Sequence, residues 1–416
     1  MLPRKPSQHI EEQSNHSSVD EGREESGKKS EMPLTFCVVG AGFSGAVIAH
    51  SLAKRGHKVL VVDERSHLAG NCYTERDPST DVMTHRYGAH IFHTDNEEVY
   101  SFLCGFGELM PYRHRVMARV QDRIYSMPIN LLTINQFFQT TFSPVEAIEF
   151  LKRKRRQDIE EPKNFEEQAL SMVGEEMYRA FFRGYTRKQW GIEPTELPAS
   201  ILKRLPLRFN FDDGYFSHRY QAIPKNGYTN LVKNILDRPE IEVRLSCSFE
   251  ELELSYDHVV YSGAIDRYFA FDIGRLGYRT LNFETFYEKG DAQGTAVINY
   301  CDEKIPYTRI TEHQHFAPWD KPRTDGSILY REFSRACGPS DIPYYPIRLV
   351  QEQALLRKYV ERAYNTSGVT FTGRLGTYRY IDMDVTIAEA LKTAEVIQTS
   401  VQRGTQIPAF VVDPLG

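Results

Sequence analysis

The hexapeptide Gly40-Ala41-Gly42-Phe43-Ser44-Gly45 has the glycine spacing of a loop that cradles a pyrophosphate. Gly40 permits a tight turn, and Gly42 lets backbone N–H groups approach phosphate oxygens. Gly45 permits close packing of a helix on a strand. Asp63, eighteen residues beyond Gly45, is placed to accept from a ribose hydroxyl, which disfavours a 2′-phosphate there. Glu64 follows it, and Gly70-Asn71 forms a second small-residue turn able to come close to the same ligand. A late Gly373-Arg374 turn offers a further approach. No second Gly-x-Gly-x-x-Gly is present for a separate nicotinamide nucleotide, so FAD is preferred to NAD.

Other residues carry polar chemistry at recognisable spacing. His90 and His93 stand three apart beside Gly88, with no Cys or acid at ligand spacing, so an active-site or structural loop is expected and no metal. His313 and His315 alternate in what reads as a strand, where structural hydrogen bonding is expected. Tyr185-Thr186-Arg187-Lys188-Gln189-Trp190-Gly191 holds one of only two tryptophans. Arg204, Arg208 and Arg309, with Tyr344-Tyr345-Pro346, complete the set. Arginine forks suit diphosphate oxygens, and aromatic rings suit a nucleobase or a sugar face.

The elements that must position these residues are legible. LTFCVV is a short apolar strand of the kind buried on both faces of a parallel sheet. FSGAVIAHSLAKRG is helical up to Gly56, and HKVLVVDER is a second strand, which makes a βαβ opening. Residues 130–205 read as helices. Residues 240–335 carry alternating strands that suggest an antiparallel sheet, and VTFTGRLG with the helix after it returns to the opening pattern. The fold class is therefore α/β.

Composition bounds the reading. The chain has 416 residues, 41% hydrophobic and 26% charged, with a formal net charge of -5, which argues against a nucleic-acid binder held by a basic field. The LKRKRR run at 151–156 is followed, after Gln157, by DIEE and reads as a solvated helix face. No apolar run reaches the length of a membrane span, and residues 1–33 lack a signal-like apolar core. That stretch carries seven acids and five bases with no aromatic residue, and is expected to be a disordered tail. Six scattered cysteines point to a reducing, cytoplasmic setting. Tyr and Phe, 24 each, exceed what a core alone requires, and such surfaces stack flat ligands.

Taken together, GAGFSGAV, GNCYTE, YGAHIFHT, GYTRKQWG, ELPASILKRLPLRF, YQAIPKNGYTNL, PYTRITEHQHF, PYYPI and GRLGTYRYIDMD resemble the prokaryotic type of UDP-galactopyranose mutase. The similarity runs across nearly all of residues 34–400. It implies a flavoprotein isomerase that interconverts UDP-galactopyranose and UDP-galactofuranose without net redox, as part of galactofuranose biosynthesis for surface polysaccharide. In that chemistry the N5 of reduced FAD attacks the anomeric carbon and displaces UDP. The resemblance assigns Arg204 and Arg309 to the substrate diphosphate and His93 to the flavin. Phe181 and Tyr185 fall to the uridine, Trp190 to a mobile lid, and Tyr215, Tyr345, Tyr380 and Asp382 to the sugar–diphosphate cleft. Gly40, Gly42, Phe43, Ser44, Gly45, Asp63, Glu64, Gly70, Asn71, His90 and Arg374 fall to FAD.

The resemblance also implies a Rossmann-like FAD-binding domain with an inserted helical domain and an antiparallel β-sheet domain. The FAD-binding domain is expected at 34–95, 222–270 and 345–405. A mainly helical domain with the lid is expected at 96–205, and the sheet domain at 206–221 and 271–344. A homodimer or larger homo-oligomer and an unidentified flavin reductant are implied as partners. Ala69 stands where glycine is usual, Lys225-Asn226 replaces a smaller pair, and Ile381 replaces an aromatic residue beside Tyr380, which leaves the nucleotide sugar open. Two further readings stay open on this scaffold. An FAD-dependent amine or polyene oxidase would not need Arg204 and Arg309, and a nucleotide-sugar sensor would bind UDP without turnover.

Overall fold

The computed structural model describes residues 33–204, 206–253, 255–320 and 324–416, and the side chains at 203, 204, 350 and 351 lie outside that description. The expected N-terminal tail lies outside the described residues, apart from its last position. Phe36, Cys37 and Val38 fill one early strand, Thr35–Val39, and Val59, Leu60, Val61 and Val62 fill a second, Lys58–Asp63; all seven are buried. Strands of this kind fit a sheet covered on both faces. They form the middle of a five-stranded parallel sheet in the order Ile241–Leu245, Lys58–Asp63, Thr35–Val39, His258–Tyr261, Val369–Phe371. Numbered along the chain the order is 3-2-1-4-5, which opens a ligand crevice beyond the C-terminal ends of the first and fourth strands.

The helix Phe43–Ala53 is apolar nearly all round and buries nine of its residues. Such a helix must lie between other elements. The long helix Met383–Arg403 packs on it, burying Ile387, Ala390, Ala394 and Ile397 in one stripe. The late unit of the chain thus returns to the opening βαβ, as the sequence pattern predicts.

A seven-stranded sheet stands apart from the parallel one. Its order is Tyr345–Pro346, Tyr278–Lys289, Gly326–Ala336, Arg309–Glu312, Val297–Tyr300, Val116–Val120, Arg123–Met127. Two expected boundaries move. Val116–Val120 and Arg123–Met127 belong to this sheet, not to a helical domain; Val116, Ala118 and Val120 alternate inward, and the strand pairs in parallel with Val297–Tyr300. Tyr345–Pro346 pairs with the edge at Tyr278 and Arg279, not with the parallel sheet. From residue 131 the segment is helical as read, in Leu131–Phe138, Pro144–Lys154, Phe165–Met177 and Gly184–Trp190. The strand expected through His315 ends at Glu312. His313–Phe316 is a 3-10 turn, so His313 is buried and His315 is not on the same face.

A small antiparallel sheet of Phe92–Thr94, Tyr220–Pro224 and Leu109–Pro111 sets His93 opposite Gln221. Among the described residues no helix is long and apolar enough to cross a membrane, and all six cysteines are free.

Candidate active site

The glycine loop leaves the first strand where the sheet order reverses. Gly40 adopts φ +105°, and a Cβ there would collide with Ser262 Oγ from the end of the fourth strand. A Cβ on Gly45 would collide with the Gly40 carbonyl oxygen, so this glycine lets the Phe43–Ala53 helix sit against the loop. Around the loop lies a cavity of about 780 Å³. Gly40, Gly42, Phe43, Ser44, Asp63, Glu64, Gly70, Asn71, His90 and Arg374 all line it, and Gly45 packs just behind. Ten of the eleven residues expected to hold a cofactor therefore share one wall.

Several of them are already engaged. Asp63 accepts the Ala41 N–H at 2.8 Å and the Arg65 N–H at 2.9 Å, so its carboxylate first ties the glycine loop to the strand end. Each oxygen keeps a lone pair for a ribose hydroxyl. Glu64 is paired with Arg267 at 2.6 Å. Asn71 Oδ1 accepts from Arg65 Nη2 at 2.9 Å, while Arg65 Nη1 is buried with no partner. An unpaired buried guanidinium nitrogen on the wall suits an anionic or oxygen-rich ligand such as a dinucleotide. Burial brings His90 down to about 4, so its ring is neutral; its Nδ1 donates to the Gly88 carbonyl at 2.8 Å and Nε2 stays an acceptor. Ala69 adopts φ 71°, the left-handed region, which explains why glycine suits that turn.

A second cluster adjoins the first. Arg309 opens its strand and pairs with Glu332 at 3.3 Å, directly opposite on the next strand. Its guanidinium donates to the Tyr185 hydroxyl. The Arg309 side chain keeps 28% of its surface exposed and Glu332 only 5%, so the cation has one open side. Burial works against its charge, but Glu332 and the surrounding tyrosines, Tyr185, Tyr345 and Tyr215, prevail and raise its pKa. Burial likewise pushes the hydroxyls of Tyr185, Tyr215 and Tyr345 up, so all three are neutral hydrogen-bonding groups. Tyr345 and Tyr380 lie 5.4 Å apart by ring centroid. Arg374 stacks on both, at 5.8 and 5.1 Å, and donates to the Ile381 carbonyl at 2.6 Å. It thereby joins the tyrosine cluster to the cavity that it also lines.

The Gly184–Trp190 helix covers this cluster by unusual fastenings. Lys188 Nζ donates to the carbonyls of Tyr300, Asp302 and Tyr307 at 2.6, 2.9 and 2.9 Å, and burial brings it down to about 8. Arg279, 6% exposed, donates to the carbonyls of Gln189 and Lys188 at the helix end. A guanidinium suits the negative end of a helix.

Residues 180–380 match the family model described as UDP-galactopyranose mutase, and residues 38–105 match an NAD(P)-binding Rossmann-like domain. The chain is 56% identical over 377 residues to a probable UDP-galactopyranose mutase of Klebsiella pneumoniae, covering 90% of this chain and 97% of that one. It is 52% identical over 367 residues to a dTDP-fucopyranose mutase of Escherichia coli, covering 86% and 97%. A crystal structure of reduced UDP-galactopyranose mutase superposes with a TM-score of 0.69 at 15% identity, over 91% of this chain and 99% of that one, which shows a shared fold. The chain belongs to the UDP-galactopyranose mutase family.

Within this member of the UDP-galactopyranose mutase family, the expected cleft residues are distributed unevenly. Tyr185, Tyr215, Tyr345, Tyr380 and Arg309 gather with Arg374. Asp382 is the N-cap of the last helix with its side chain unused by the cap, and its charge acts on both His93 and Tyr215. Trp190 ends its helix, partly buried, beside Gly191 at φ 71°. Phe181 is 2% exposed and packed against Tyr125 and Phe137, so its ring serves the core rather than an open cleft. Arg204 ends the 3-10 helix Ala199–Arg204, and its side chain lies outside the described residues. Sequence reasoning missed Arg65, Glu332 and Arg279, and gave Lys188 no role beyond its place in the Tyr185–Gly191 segment. A lone arginine in an alternating apolar strand, as in LGYRTLNF, was a signal for Arg279. It also missed His114, which is 5% exposed with Nδ1 unpaired and is brought down to about 3 by burial and then by Arg309.

Proposed function

We propose that this chain is an FAD-dependent nucleotide-sugar mutase that catalyses reversible ring contraction of UDP-galactopyranose to UDP-galactofuranose. The observation that carries the reading is the continuity between the dinucleotide cavity and the Arg309–tyrosine cluster, with Arg374 belonging to both. When bound and reduced, FAD supplies a nucleophile for the anomeric carbon of the sugar. Arg309, charged at every working pH, holds a diphosphate oxygen close enough for the departed nucleotide to return. Arg204 is proposed as its partner. The neutral hydroxyls of Tyr185, Tyr215 and Tyr345 donate to the same group without adding charge. Ring contraction removes a proton from the sugar 4-hydroxyl and returns one to the former ring oxygen, and His93 is the neutral imidazole proposed to hold it. Tyr185 toward the uridine, Trp190 over the cleft, and Tyr380 and Asp382 along the sugar complete the proposed set, while Phe181, expected at the uridine, is left to the core behind Tyr125 and Phe137. A cytoplasmic location, a homo-oligomer and a separate flavin reductant belong to the same reading. So does the division into FAD-binding, helical and sheet domains, with the Val116–Met127 hairpin and Tyr345–Pro346 moved to the sheet.

A second reading, supported by the 52% identity to a dTDP-fucopyranose mutase, takes dTDP-fucopyranose as the substrate instead. Assaying the dithionite-reduced, FAD-loaded protein on each furanose form, with chromatographic detection of the pyranose, separates the two. Higher kcat/KM on the UDP sugar supports the first reading. Higher kcat/KM on the dTDP sugar supports the second, and turnover of neither refutes both. The oxidase alternative, which would not need Arg309, gives no role to the charged Arg309–Glu332 pair beside Tyr185.

A further inference from the structure

His218, in the turn before the strand Tyr220–Pro224, lies with Nδ1 at 2.9 Å from Nδ1 of His93. The ring planes are 13° apart, and Phe216 stacks on the His93 ring at 3.7 Å. The arrangement is built by the backbone. Pairing sets His93 opposite Gln221, and the Gln221 side chain donates to the carbonyls of Phe216 and His218, which pins the turn. Two imidazole lone pairs cannot face each other at that distance, so one Nδ1 carries a proton and the other accepts it. A neutral pair therefore holds opposite tautomers.

We propose that His218 is a positioning residue that fixes His93 as the Nδ1–H tautomer and so keeps its Nε2 lone pair free for the proton leaving the sugar hydroxyl. The assignment follows from exposure. His218 is half-buried, so water satisfies its Nε2–H more fully than it would that of His93, which is 9% exposed. Burial keeps His93 neutral at rest. The charged and titratable groups facing it are His218, Asp382 and Asp384 at the start of the last helix, and His114. The two carboxylates favour the imidazolium once a proton is taken up at Nε2, and that proton then returns to the sugar, so protons balance and no co-reactant is needed. The role of the proton rests on the mutase reading. The tautomer does not.

The test uses the reduced, FAD-loaded protein labelled with 15N-histidine, with His93→Gln and His218→Gln variants to assign the two rings. The proposal expects His93 as Nδ1–H and His218 as Nε2–H in long-range 1H–15N spectra. In His218→Phe it expects a mixed His93 tautomer and a tenfold or greater fall in kcat with KM unchanged within twofold. His218→Asn, whose amide oxygen accepts from Nδ1–H, should restore both. His93 observed as Nε2–H, or His218→Phe with unaltered His93 shifts and kcat, or His218→Asn as slow as His218→Phe, each overturns the proposal. If the wild-type protein turns over neither nucleotide sugar, the mutase reading fails, and the tautomer spectra still decide the pairing.

Discussion

Replacing Arg309 by Met removes the cation and keeps most of its stem volume. Glu332, 5% exposed, is then left with the Thr308 hydroxyl at 3.2 Å as its remaining side-chain partner. Breaking a buried pair in this way costs about 3–5 kcal/mol of stability, because an uncompensated charge stays inside. In Arg309→Met/Glu332→Gln that charge is gone, and stability should return to within about 1–2 kcal/mol of wild type. Activity should not return. Two charge-assisted bonds to a diphosphate at about 1.5–3 kcal/mol each correspond to roughly a 10²- to 10⁴-fold loss in kcat/KM. Urea unfolding of the FAD-loaded proteins reads the first quantity, and turnover of the reduced proteins reads the second. Recovery of activity together with stability in the double variant would refute the assignment of Arg309 to the substrate.

Three further outcomes follow from the same geometry. Burial brings His90 and His258 down to about 4 and His114 and His313 down to about 3. Their folded values lie below the unfolded one, so the unfolded chain binds protons first, and the stability present above pH 6.5 is lost on acidification. At pH 5 each site removes about 2 kcal/mol at most, and urea unfolding that is flat between pH 7 and 5 contradicts this. Lys188→Met leaves three carbonyls without their donor and should weaken docking of the Gly184–Trp190 helix by about 2–4 kcal/mol. Faster hydrogen exchange over 184–191 and 300–308 reports it, and unchanged protection there contradicts it. Gly45→Ala drives a methyl into the Gly40 carbonyl and to 3.1 Å from Val38, so a loss of about 3 kcal/mol and of FAD retention is expected. Flavin fluorescence on titration measures the latter, and wild-type affinity would count against the loop's role.

The glycine loop, its βαβ frame and the returning last helix were legible because each signal is local: apolar runs, a 3.6-residue stripe and a fixed glycine spacing. The hairpin Val116–Met127 was not, since its five-residue strands sit before a helical stretch and its parallel partner lies some 180 residues away. Phe181 falls to the uridine by resemblance alone, whereas its ring fills the core, because a matching motif carries a residue's place in the chain and not what its side chain packs against. The Arg309–Glu332 pair depends on strand register, and the His93–His218 contact on a turn pinned by Gln221. Alternation predicts which way a side chain points but not what it meets.

The most direct test of the central claim is conversion by the reduced protein. FAD-loaded protein is treated with dithionite, given UDP-galactofuranose, and followed chromatographically. Appearance of UDP-galactopyranose, abolished in Arg309→Met/Glu332→Gln, is the predicted result. No conversion of the UDP sugar by stable, FAD-loaded, reduced protein would contradict the assignment.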